Sequence, residues 1–483
     1  MPAGPPNIIF VMLDTARADY FGSYGGRLRL DNIDGIWKNG VVYENAISPG
    51  TYTLPSHVSL FLGKQVSRIP GLMEDKMKHY DRNTDPFLLR SRVIKPGSMT
   101  LAKRLSYLGY GTAIFSNNPL VSEYTGIAEG FSYRSYTDSI AIASANKMNR
   151  IVIRGPLSLV GNGALRKGLV NLAYLVTRAM PAGTLDAVYL GLRERLNRIY
   201  ADEARYNDID QGARDTNRRV EAYCNDAGGR RNFMFINYME AHEGYPTSAV
   251  TDTRVEQDKW LYMSGIADAS GVLDIIKEAR DRRLLYLDRQ IGRLMSILKS
   301  CGMLDNAVLI FGGDHGQGFM EHGQMYHGVL PYNEIVHVPL VCTRFVNGHQ
   351  VRAGERVARP VSLTALHDAV LDIGYGAYDA IDGNLKGDRF VFSEHTGITE
   401  VWDTHLLRLI RGRSRYADAI YRAKLRQNAF ATAVYCGRYK LIHYKDRKKT
   451  DELYNIHEDE RELENLIFKE RDVARRLLGS ISG

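Results

Sequence analysis

The chain predicts a doubly wound α/β fold built on a mostly parallel sheet, followed by a small C-terminal α+β subdomain. Three observations carry that expectation. Short continuous apolar runs recur along the chain and end in polar or charged residues, helical patterns separate them, and the texture turns to short β-like segments after about residue 375. Unbroken apolar runs mark strands buried on both faces, which need crossover helices and so pair in parallel. In such sheets the functional groups gather beyond the carboxyl ends of the strands.

The elements follow in order. "NIIFVMLD" (7–14) is a buried strand ending in Asp14. In "GTYTLPSHVSLFLGK" (50–64), Pro55 suits a first helical turn because its missing N–H is not needed there, and Gly63 marks the helix end. The helical "SMTLAKRLSYLG" leads into the strand "GTAIFSNN", and a polar helical stretch over 201–230 feeds "RNFMFINYMEAH". The helix "RLLYLDRQIGRLMSILKSCG" stops at a glycine before the strand "NAVLIFGGDHG". Beyond residue 375, "RFVFSEH", "AVYCGRYKLIHY" and "DELYNI" read as short strands, and "ERELENLIFKERDVARRLLGS" as a closing amphipathic helix. The expected domains are therefore 1–375, catalytic, and 376–483, C-terminal.

Composition narrows the classes. The 483 residues are 44% hydrophobic and 24% charged, which excludes a disordered chain. Most of the net charge of +8 comes from one segment: between Lys147 and Tyr200, nine basic residues are opposed only by Asp186 and Glu194. The four cysteines lie far apart without CxxC spacing, which argues against a structural zinc site or a disulfide scaffold. The apolar run near the N-terminus is too short for a signal peptide or a membrane span, so a cytoplasmic location is expected.

The residues that can carry chemistry sit at three strand ends. Asp314-His315, at a glycine-flanked tip, pairs a carboxylate with an imidazole that can reach one divalent ion; the alternative is a helix-capping aspartate beside a surface histidine. His322 and His327 follow in the same glycine-rich loop, His327 as the stronger candidate and His322 as a residue that orders the loop. Thr53 precedes the helix of "GTYTLPSHVSLFLGK", where free amides and the dipole favour an anion. Such a threonine is commonly a cap, but an acidic strand tip and an Asp-His pair elsewhere supply what a hydroxyl nucleophile requires. Ser56 and Ser59 read as helix residues and Thr51 as a bystander.

Six blocks in order resemble the sulfatase branch of the alkaline phosphatase superfamily: "PNIIFVMLDTARADYFGSYG", "TLPSHVSLFLGK", "GTAIFSNNPLVSEYTGIAEGF", "NYMEAHEGY", "FGGDHGQGFMEHGQMYHG" and "YKLIHYKD" with "DELYNIHEDERELENL". The resemblance spans nearly the whole chain and is weakest over about 145–200. It implies an alkaline phosphatase-like sheet, a divalent metal on Asp14, Asp314 and His315, and Thr53 as a nucleophile that also touches the metal. It implies that His242 and His327 bind the transferred anion, protonate the leaving group or help hold a second metal. Lys64 matches a basic residue near the nucleophile helix, and Asn117 or Asn118 falls in a block that lines the pocket.

Three positions depart from the family pattern. Sulfatases of this branch carry a Cys or Ser that is oxidised to formylglycine, and the methyl on the Thr53 β-carbon prevents formation of that aldehyde. His57 stands where an arginine is expected and is a candidate for substrate binding. Thr15 replaces the second residue of an Asp-Asp pair. Threonine-bearing relatives resemble phosphodiesterases and phosphoglycerol or phosphoethanolamine transferases using Mn or Zn. The expected function is thus a metal-dependent phosphoester hydrolase or phospho-group transferase acting through a covalent Thr53 intermediate, with Mn or Zn favoured over Ca or Mg. The alternatives are a sulfatase with an unmodified threonine and a non-catalytic metal-binding member.

The basic segment 145–200 reads as a helical insertion or dimerisation element, with an amphipathic lid on anionic lipid as the functional alternative. The expected partners are an anionic ester, a lipid headgroup at a peripheral membrane contact and a second copy of the chain. Nucleic acid is not expected, because no aromatic platform accompanies the charge.

Overall fold

The computed structural model describes residues 4–72, 93–136, 209–227, 229–244, 262–266, 268–351, 354–378, 385, 389–397, 418–420, 422–423, 429–446 and 449–481. The basic segment 145–200, with its insertion, dimer and lipid-lid readings, lies outside the described residues.

The central sheet is assembled from the apolar runs. Its strands are β1 (Asn7–Leu13), β2 (Val41–Tyr43), β3 (Gly111–Ser116), β4 (Tyr133–Tyr136), β5 (Asn232–Tyr238), β6 (Asn306–Gly313), β7 (Leu340–Val346) and β8 (Glu355–Val357). The order across the sheet is β8-β2-β7-β6-β1-β5-β3-β4, with the short strand His349–Gln350 paired to β7. β6, β1, β5, β3 and β4 run parallel, and only the pairings of β7 with β6, β2 and His349–Gln350 are antiparallel. The carboxyl ends of β1, β3, β5 and β6 therefore meet along one edge.

Helices cover both faces: α1 (Asp31–Trp37), α2 (Thr53–Leu62), α3 (Leu101–Tyr107), α4 (Ala213–Asp226), α5 (Ser270–Ser300) and α6 (Leu366–Gly374). Alternation along β1 separates the two cores. Ile9, Val11 and Leu13 pack with Trp37 of α1, Val220 of α4 and Leu287, Ile291 and Leu294 of α5. Ile8, Phe10 and Met12 pack with Val58 and Phe61 of α2, Leu105 of α3 and Val370 of α6. Hence the central strands β1, β3, β5 and β6 lack a polar face, and the doubly wound reading holds.

The C-terminal sheet is antiparallel throughout: β9 (Val391–His395), β10 (Ala431–Cys436), β11 (Tyr439–Tyr444) and β12 (Glu452–Asn455). Leu477 and Ala474 of the last helix, α7 (Arg471–Ile481), close a small core on Val434, Leu441 and Leu453. α7 starts later than its sequence pattern suggested. Residues 460–470 form turns and irregular backbone rather than helix, because the buried Glu462 adopts φ 56° and turns inward to ion-pair with Lys440 at 2.6 Å. Among the described residues no helix is long and apolar enough to cross a membrane.

Candidate active site

The parallel strands deliver their end residues to one buried cluster. Asp14 follows β1, Asp314 and His315 follow β6, and Asn118 lies just past β3. All four are buried. α2 enters from the side with Thr53 as its first residue and Tyr52 as the preceding cap position. Gly63 ends that helix in a left-handed turn at φ 63°, where an added Cβ would lie 2.7 Å from the His367 ring, so glycine is required twice over.

Each donor is oriented by its neighbours. Thr15 sits at φ 63°, a strained conformation for a β-branched residue, and this aims its N–H at Asp314 Oδ1 (2.9 Å) while its hydroxyl donates to Asp14 Oδ1 (3.0 Å). Asn118 Nδ2 donates to Asp14 Oδ2 at 2.7 Å and lies 3.5 Å from Thr53 Oγ1; Asn237 Nδ2 reaches the same Asp14 oxygen at 3.4 Å. The Ser56 hydroxyl donates to the Asp314 carbonyl at 2.7 Å. His315 Nδ1 donates to Gly316 O at 2.9 Å, which turns the Nε2 lone pair toward Thr53 Oγ1 (3.2 Å) and Asp314 Oδ2 (3.3 Å).

The electrostatics call for a cation. Asp314 Oδ2 is buried without a hydrogen-bond donor, and burial together with the Asp14 charge pushes the Asp314 carboxyl well above its ordinary range. Burial also works against the Asp14 charge, but the imidazoles of His242, His315 and His57 and the Asn118 hydrogen bond outweigh it and hold Asp14 low. Burial and the neighbouring His327 push His315 down to about 3, so its imidazole is neutral. Two carboxylates and a neutral imidazole, with ligand atoms within 4.8 Å of one another, are hard and borderline donors suited to a divalent ion. The donor set fits a metal bound by Asp14, Asp314 and His315, with the Thr53 oxygen adjacent.

A second cluster adjoins the first. The His327 ring lies 4.6 Å from His315 and 4.9 Å from His242, centroid to centroid. Glu243 Oε2 joins them, 3.1 Å from His327 Nδ1 and 3.2 Å from His242 Nδ1. Burial opposes the Glu243 charge, but the two imidazoles hold the carboxylate well below its ordinary range; in return Glu243 and Asp14 raise His242 against its own burial. Both histidines and Glu243 can hold a second cation or, without one, relay protons. Arg283, buried in α5, fixes the loop beneath by donating to His242 O (3.2 Å) and Gly244 O (2.8 Å).

Several sequence-predicted residues fall elsewhere. Lys64 is exposed past Gly63, at the far end of a ten-residue helix about 15 Å long, so it does not reach Thr53. Asn117 turns away to donate to Thr216 Oγ1 (3.0 Å) and Gln211 O (3.4 Å). His57 is fully buried beneath the cluster, its Nδ1 2.9 Å from Thr53 O and 3.6 Å from Asp314 Oδ2, so it braces the donors from below rather than lining open space. His322 orders its loop, with Nδ1 2.9 Å from Glu334 and Nε2 3.1 Å from Glu462 O. Thr51 is no bystander: it is buried and bonded on both its side chain and its carbonyl. Glu243, Asn237 and Arg283 were missed. Glu243 follows His242 directly and was legible, whereas Arg283 lies inside an ordinary helical pattern that carried no signal.

The family profile described as Sulfatase matches residues 6–376. The chain belongs to the sulfatase family. Among curated relatives, arylsulfatase K of Danio rerio is 25% identical over 267 residues, 48% of this chain and 44% of the relative. An N-acetylglucosamine-6-O-sulfatase of Bacteroides thetaiotaomicron is 24% identical over 370 residues, 70% of this chain and 62% of the relative. The alignments thus span less than two thirds of either relative's own length. Two solved structures share the fold at 15% identity. The phosphonate monoester hydrolase of Agrobacterium radiobacter has a TM-score of 0.61, covering 99% of this chain and 94% of that one. A 2-O GAG sulfatase has a TM-score of 0.60, covering 99% and 92%. This sulfatase-family chain therefore shares its sheet with enzymes named for sulfate and for phosphonate esters alike.

Proposed function

We propose that this chain hydrolyses a sulfate monoester and that unmodified Thr53 is the nucleophile. The carrying observation is the Thr53 hydroxyl at the start of α2, 3.2 Å from His315 Nε2 and beside the buried Asp14, Asp314 and His315 donors. The sulfatase match and the relatives named for aryl and sugar sulfates favour sulfate over the phosphodiester that the threonine alone suggested.

A divalent ion on Asp14, Asp314 and His315 would lower the pKa of the Thr53 hydroxyl and neutralise charge on the ester oxygens. Asn118 orients Thr53 and Asp14 together, and the N–H groups of Thr53 and Leu54 in the first turn of α2, where Pro55 has none, would face the anion. The Thr53 oxygen, as alkoxide, attacks sulfur in line; the S–O bond to the alcohol breaks and His242 gives the departing oxygen a proton. In the second half, neutral His242 takes a proton from water, whose oxygen attacks the sulfo-threonine and releases sulfate and the Thr53 alkoxide. Glu243 supports His242 as the acid by stabilising its cation.

The second reading is a phosphoester hydrolase or phospho-group transferase, favoured by Thr53 itself because threonine cannot yield the aldehyde expected of sulfatases. Steady-state kinetics on an aryl sulfate, a sugar 6-O-sulfate, an aryl phosphate monoester and an aryl phosphodiester, each with Ca, Mg, Mn or Zn, ranks the two. Higher kcat/KM on sulfate esters is expected; a clear preference for phosphorus would replace this reading with the second.

A further inference from the structure

Thr51 lies two residues before Thr53 and is fully buried. Its side chain shares a hydrogen bond of 2.9 Å with His395 Nδ1 at the end of β9, and its carbonyl accepts from Gly328 N at 2.7 Å. Gly328 directly follows His327. One residue thus joins three segments distant in sequence: the nucleophile loop, the loop of His327 and the first strand of the C-terminal sheet.

The rest of β9 strengthens that junction. Glu394 N donates to Pro49 O at 2.9 Å, so the strand is stitched to the loop just before α2. The Glu394 carboxylate accepts from Ser67 N at 2.8 Å, just beyond α2. Both approaches to the nucleophile helix are held by neighbouring residues of one strand. His395 is itself buried, so its contact with Thr51 is made out of water, where an unmade hydrogen bond costs the desolvation of each group.

We infer that the Thr51–His395 pair is a positioning device that sets where Thr53 stands relative to His327. Neither residue touches the reacting atoms; each acts through the backbone, Thr51 by carrying the start of α2 and by receiving Gly328. The inference rests on the reading of Thr53 as nucleophile. Turnover responds steeply to small displacements of a nucleophile, whereas ground-state binding of the ester does not. The C-terminal sheet thereby becomes part of the machinery that aligns the site.

Thr51→Val tests this, because it keeps the shape and removes the hydroxyl, while Thr51→Ser keeps the hydroxyl. On whichever ester the wild type turns over, Thr51→Val should lower kcat by roughly 10- to 100-fold with KM changed less than about twofold. Thr51→Ser should recover most of that loss. Should Thr51→Val fail to fold, His395→Phe removes the bond from its other side and should lower kcat alike; where both variants fold, the two changes together should cost no more than one. Amide exchange provides a readout independent of turnover: Gly328 and the first turn of α2 should exchange at least about tenfold faster, with the other strands unchanged. Unchanged kcat, unchanged exchange at Gly328, or acceleration spread evenly over the molecule each overturns the inference. If the wild type turns over no ester while Gly328 exchange still responds, the nucleophile reading fails and the clamp stands.

Discussion

At Thr53 a secondary alcohol stands where the family pattern has an oxidisable cysteine or serine, and every neighbouring contact is consistent with its use as it is. Asn118 and His315 flank its oxygen, and Asp14 and Asp314 provide the adjacent charge. Thr53→Ala should abolish turnover while changing the unfolding free energy by about 1 kcal/mol or less, since Tyr52 rather than Thr53 occupies the cap position; turnover assays beside urea unfolding check both halves. Asp314→Asn should lose the metal, because it replaces a carboxylate whose Oδ2 has no donor of its own in the protein. Elemental analysis showing full occupancy in that variant would contradict the donor assignment. The cluster of donors was legible because Asp14, Asp314 and His315 each sit at the tip of an apolar run. The bracing residues were not: Thr15 contributes through backbone strain, and Asn237 through one amide inside a strand.

At the scale of elements, α5 and α2 illustrate what periodicity can and cannot convey. The apolar pattern of α5 was plain, yet the same face buries Arg283, whose guanidinium holds two carbonyls of the loop carrying His242 and Glu243. Removing it leaves buried acceptors unpaired, so Arg283→Met should destabilise the fold by about 1–3 kcal/mol and weaken turnover, with Arg283→Lys less affected. Urea melts with parallel kinetics check this; equal stability and rate in the methionine variant would remove Arg283 from the account. α2 was expected to end at Gly63, and it does, but its length carries Lys64 away from the chemistry. In α7 the reverse happened: an amphipathic pattern from residue 460 was overridden because burying Glu462 against Lys440 requires a turn. Tertiary ion pairing is invisible to periodicity, and so are the segments that such pairs reshape.

For the whole molecule, the contact between the C-terminal sheet and the catalytic edge matters most. Lys440 and Glu462, both fully buried, meet Asn333 there, and His322 stacks on Tyr332 at 3.9 Å while bonding to Glu334 and to Glu462 O. Lys440→Met or Glu462→Gln alone should cost about 3–5 kcal/mol by stranding a buried charge, and the double variant less than their sum. Denaturant unfolding measures that cycle. Burial lowers His322, but the Glu334 hydrogen bond and charge outweigh it, so its pKa in the folded chain lies above the ordinary 6.5. Its contribution to stability is therefore complete below about pH 6.5 and is lost as pH rises through the raised value. Urea melts between about pH 5 and pH 9 should show His322→Gln weakest relative to wild type at the acid end. A constant difference across that range would separate His322 from the junction. The most direct test of the central claim is intact mass and peptide mapping after acid quench of the metal-loaded enzyme during turnover of an aryl sulfate. A sulfo group on Thr53, absent in Thr53→Ala, is the predicted result; turnover with no adduct, or an adduct mapped to another residue, would contradict it.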